Sequence, residues 1–92
     1  KMEPQTLQDM NSQAIAKLFV VEYSIQQGHF HIHQIEDMLE TNLRTFLANT
    51  EPGYVPIGIL PTHDGAHEFI NSILERLPEG HPVLIAQQKN TL

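Results

Sequence analysis

The sequence predicts an α+β domain, a two-layer sandwich of order ββαβα, with a β-hairpin followed by α-β-α. Three observations predict it. Between Phe19 and His33 apolar residues alternate with period two, the signature of a strand whose side chains point to opposite faces. From Ile35 to Asn49, and again after Thr62, apolar residues recur at three and four, which places them on one stripe of a helix. Between these stripes, Tyr54 to Leu60 is short, apolar and β-branched, bounded by Pro52-Gly53 and Pro61.

The first 17 residues are ambiguous. Pro4 to Thr6 read as a flexible start, while Met10, Ala14, Ile15 and Leu18 have near-helical spacing that Ser12 would cap. A rival reading runs one helix from Gln8 to Gln26. A strand from Lys17 fits better. A helix would spread Phe19, Val20, Val21, Tyr23 and Ile25 around its cylinder and restrict χ1 of its β-branched residues. Folding the run about Gln27-Gly28 sets Ile25 opposite Phe30, Tyr23 opposite Ile32, Ser24 opposite His31 and Glu22 opposite His33. Apolar then meets apolar, and a one-residue slip would turn a strand inside out. Gly28 supplies the positive φ that the turn requires.

In the first helix Ile35, Met38, Leu39, Leu43, Phe46 and Leu47 form the apolar stripe. Glu36 and Asp37 meet the positive end of its dipole, and Asn49 ends it. In the third strand Val55, Ile57 and Ile59 share a face, and Pro56 marks a sheet edge or a bulge because it has no N–H. Gly58 reads as close packing or a bulge. Thr62 caps the second helix, whose stripe is Ala66, Phe69, Ile70, Ile73, Leu74 and Leu77, and Pro78 stops it. Val83 to Ile85 read as a possible short C-terminal strand, and residues 87–92 as a polar tail.

A crossover from the second strand through the first helix to the third is expected to be right-handed with parallel strands. That gives a small mixed sheet with both helices on one face. The whole chain, 1–92, reads as a single small domain with residues 1–16 and 87–92 peripheral or flexible. The other sheet face then carries Leu18 and Val20 beside Glu22, Ser24, His29, His31 and His33, open to a second subunit.

Net charge is −6, with 5 basic residues against 11 acidic. A nucleic-acid binder needs a basic face, so no nucleic-acid partner is expected. No apolar run approaches the roughly 20 residues that span a bilayer, no secretory leader is expected, and the default expectation is a cytoplasmic protein without membrane contact. With no cysteine there is no disulfide, thiolate metal site or cysteine nucleophile.

The sharpest chemical feature is the row His29, His31, His33. Alternate histidines on one strand project side by side, and Glu22 on the neighbouring strand adds a carboxylate. Glu22, His31 and His33 are therefore the candidate ligands for a divalent metal such as zinc. The blander reading is a polar strand face, and it has the greater weight; on it the domain has no cofactor. His63 and His67, four apart on a helix, have the zinc-protease spacing but lack a glutamate directly after the first histidine. No nucleophile elbow and no glycine-rich phosphate loop occurs. The expected function is a non-enzymatic module that forms a homo-oligomer or binds a protein partner. The alternatives are a metal-binding protein using the histidine row, or a small-molecule-binding domain.

Overall fold

The computed structural model describes residues 14–51 and 53–91. The elements are β1 (Phe19–Ser24), β2 (His29–Gln34), α1 (Ile35–Leu47), β3 (Tyr54–Leu60), α2 (His63–Arg76) and α3 (Pro82–Thr91). This is a small α+β fold in the predicted order. Most of the expected N-terminal segment lies outside the described residues; its last part, residues 14–16, forms a short helical turn leading into β1.

The chain reverses after β1, so there is no continuous helix through Val20 and Tyr23. The register, however, is displaced by two residues from the expected one. Tyr23 faces Phe30, Glu22 faces His31 and Val20 faces His33. A two-residue shift preserves the pleat, so each face keeps its residues. The cause lies in the loop. Ser24 closes it twice, its Oγ accepting from the N–H of Gln27 at 3.1 Å and its carbonyl from the N–H of Gly28 at 2.8 Å. Gly28, at φ 72°, makes the left-handed step that a residue with a Cβ adopts only with strain. Ile25, expected on the core face, falls in this loop and is exposed.

The strand order is β2-β1-β3, with both pairings antiparallel. The sheet is thus antiparallel rather than mixed. β2 and β3 do run in the same direction, but β1 lies between them. Its Phe-Val-Val core claims the centre of the sheet, where both faces can be buried. Val20 and Val21 are respectively 1% and 0% exposed.

That double burial requires cover on both sides, so the helices are not confined to one face. Tyr23, Phe30 and Val55 face Ile73 and Leu77 of α2 and Val83 of α3 across an apolar cavity of about 210 Å³. On the opposite face Glu22, His33 and Tyr54 line a cavity together with Met38, Thr41 and Asn42 of α1. Local bonds set α1 there. The Ile35 N–H donates to the Leu18 carbonyl at 2.9 Å, the Gln34 side chain donates to the Lys17 carbonyl, and Lys17 Nζ lies 2.7 Å from Glu36 Oε1.

β3 carries a bulge opposite Val21 and Glu22, where Pro56 cannot serve the ladder. The bulge inverts the alternation expected there. Val55 faces Tyr23, whereas Ile59 faces Val20 on the other side. Gly58 is close packing, since a Cβ built on it would lie 2.6 Å from Phe69 Cε2. Thr62 caps α2 as expected, its Oγ1 accepting from the N–H of Gly65 at 2.9 Å.

The possible C-terminal strand is instead helix α3, which also takes in residues 87–91 of the expected tail. Pro82 occupies its first position, where a missing N–H does no harm. The N–H of Val83 finds His81 Nδ1 at 3.1 Å.

Candidate functional site

Two surfaces stand out: a small cavity of mixed lining between the sheet and α1, and the outward apolar side of α1.

The cavity has a volume of about 150 Å³ and is lined by Glu22, His33, Met38, Thr41, Asn42 and Tyr54. Glu22 comes from the central strand, and the helix above it leaves its side chain only 4% exposed. Its recorded ionic partner is His33, whose Nε2 lies 3.8 Å from Glu22 Oε1. That is an ion-pair distance, too long for a hydrogen bond. Although His31 is the residue directly across the ladder, the carboxylate reaches diagonally to His33. Tyr54 from β3 completes the wall, presenting its ring edge-on to both His31 and His33.

The histidines form a row, stacked at His31 and His33 and tilted by 40° at His29 and His31. His29 and His31 have ring centroids 4.4 Å apart, and His31 and His33 lie 5.7 Å apart with planes 9° from parallel. His31 Nε2–H donates to Gln27 Oε1 at 2.9 Å. The proposed metal ligands Glu22, His31 and His33 therefore share one face, as the alternation requires, but His31 is bonded away toward the hairpin loop. Among the described residues no group of three or more His, Cys, Asp or Glu side chains is placed to hold a metal ion. His63 and His67 stack edge to face at 4.7 Å, with Phe19 against His63. They stand at the start of α2, the helix that covers the other side of the sheet.

Burial raises the Glu22 pKa above its usual 4.5, and the neighbouring His33 partly offsets this. Burial, then the charges of His29 and His33, lowers the His31 pKa below 6.5. The two act oppositely on stability. A carboxyl with a raised folded pKa stabilises fully below 4.5 and loses that contribution as pH rises through its raised value. An imidazole with a lowered folded pKa contributes above 6.5 and loses that contribution as pH falls through its lowered value. We expect Glu22→Gln to raise neutral-pH stability by about 1 kcal/mol, the scale of a poorly partnered buried polar group. That is roughly 4–8 °C in Tm for a domain of this size. The gain should vanish below pH 4.5, where wild-type Glu22 is itself protonated. Thermal unfolding across pH checks this; a variant less stable than wild type at neutral pH would show that the carboxylate is well satisfied.

The second surface lies on α1. Leu39, Leu43, Phe46 and Leu47, expected in the core, are exposed, at 58% for Leu43 and 77% for Phe46. The helix turns Met38, Thr41 and Asn42 toward the cavity instead. Ile59 of β3, on the same side of the sheet as α1, is also exposed. This surface was missed because periodicity identifies an apolar stripe without saying what covers it. The mixed lining of Met38, Thr41 and Asn42 was the available signal, since a partly polar cavity needs polar residues on the helix above it.

No family model matches the chain, and neither curated proteins nor solved structures give a match. Among the described residues no helix is long and apolar enough to cross a membrane.

Proposed function

We propose that this domain is a non-enzymatic interaction module that self-associates, with α1 at the contact. The observation that carries this reading is the row Leu39, Leu43, Phe46 and Leu47 facing solvent on one helix. Scattered exposed leucines are ordinary, but a contiguous apolar helix face commonly marks an interaction site. The buried apolar residues among those described are Val20, Val21, Ile35 and Ala66. A core that small leaves a short domain marginal, and oligomerisation is a common remedy when disulfides are absent.

Sedimentation velocity tests this. At about 10 μM, a concentration at which a specific micromolar contact is half formed or better, the chain should sediment as a dimer. A monomer throughout would overturn the reading. A second reading, a small-molecule-binding domain, is favoured by the cavity at Glu22.

A further inference from the structure

We propose that the cavity between β1 and α1 binds a small organic cation, an ammonium or amidinium group on a compact apolar body, with Glu22 as its counter-ion. The inference develops the small-molecule reading and does not require self-association.

The chemistry of the lining carries it. The cavity buries a carboxylate and supplies no cation of fixed charge. Among the described residues Lys17 is paired with Glu36 and Arg44 with Glu40, and neither these nor Arg76 nor Lys89 lines the cavity. His33 approaches Glu22 only to 3.8 Å and is itself 40% exposed. A buried carboxylate that lacks a close donor is costly, and an ionised one is stabilised most by an opposite charge with N–H groups to donate. Thr41 and Asn42 add side-chain oxygens that accept further N–H donors. The Tyr54 ring and the Met38 thioether provide the surfaces on which cations and their apolar bodies pack.

Size narrows the ligand. A cavity of about 150 Å³ lies below the usual range for drug-sized ligands, while an engineered apolar cavity of about that volume holds one benzene. The occupant is therefore a single small ring or a short chain bearing one charged nitrogen group.

The test uses benzylammonium as the probe, with benzyl alcohol as its uncharged counterpart. Binding is followed by calorimetry and by amide shifts of the native protein. We expect saturable one-site binding at neutral pH, with a Kd on the order of 1 mM or tighter, as ligand efficiency allows for so small a molecule. Shifts should centre on Glu22, His33, Met38, Thr41, Asn42 and Tyr54. Benzyl alcohol should bind at least about tenfold more weakly, the size of one lost charge-assisted bond.

Glu22→Gln should reduce benzylammonium affinity by a similar factor without affecting the alcohol. Asn42→Leu, which narrows the cavity and leaves the carboxylate in place, should weaken both probes. No saturation by millimolar probe, equal affinity for the alcohol, undiminished benzylammonium binding by folded Glu22→Gln, or shifts confined to the exposed face of α1 would each overturn the proposal. A negative result leaves the sedimentation result untouched, so the two readings fail separately.

Discussion

Gly58→Ala should destabilise the folded chain by about 1–3 kcal/mol, the usual penalty for forcing extra volume into a packed contact. A Cβ at this position would meet Phe69 at 2.6 Å from Cε2 and 2.7 Å from Cζ, inside any real carbon–carbon contact. Gly58 sits beside the bulge of β3 and opposite Val21, which is fully buried, and Phe69 of α2 packs directly against the glycine. Chemical denaturation should show a lower midpoint with an unchanged slope. The control is a double-mutant cycle with Phe69→Leu. If the clash is the cause, the smaller side chain recovers part of the loss, with a coupling of about 0.5–3 kcal/mol. Simple additivity would place the cause elsewhere in the strand.

Phe46→Asp should weaken self-association at least about 30-fold, the effect of removing a hot spot worth about 2 kcal/mol. Phe46 is the most exposed of the large apolar residues and stands on the same stripe of α1 as Leu39 and Leu43. A carboxylate there cannot be desolvated against a second apolar helix without a partner. In the isolated protomer the same substitution touches nothing buried, so its direct effect on fold stability should stay within about 0.5 kcal/mol. Sedimentation of wild type and variant, with unfolding of the variant as monomer, separates the two. Unfolding together with dissociation would show that the protomer depends on the contact for its fold. Glu40→Ala, which loses only the exposed pair with Arg44 at 3.5 Å, should change neither.

Much of this architecture was legible because its signals are local. Thr62 at the start of α2, Asn49 at φ 57° after α1 and Gly28 in the hairpin each act through the backbone of a few residues. Elements and their order follow from such signals together with apolar period. What escaped depends on partners distant in sequence. The hairpin register was set by Ser24 gripping the loop, which displaced the pairing by two residues without disturbing either face. The side of the sheet taken by α1 was decided by the Leu18 carbonyl and Glu36, which hold its first turn, and no periodicity encodes that. α3 in place of a C-terminal strand reflects the ambiguity of three apolar residues in a row, resolved here by Pro82 at the helix start.

The candidate site divides along the same line. That Glu22 and the alternate histidines share a face followed from strand parity alone, and His33 does approach Glu22. That a helix would close over them and make a cavity of Met38, Thr41 and Asn42 did not. The same packing choice turned the leucines and Phe46 of α1 outward, so the cavity and the apolar surface are two consequences of one rotation of the helix.

The proposed dimer would place a second copy of the chain over the apolar side of α1. Isotope-filtered NOE spectroscopy on a mixture of labelled and unlabelled chain tests it most directly. Intermolecular contacts are expected between the Phe46 ring and the methyl groups of Leu39, Leu43 or Leu47. A sample of dimeric mass whose only intermolecular contacts arise from other residues, or a sample with none at all, would contradict it.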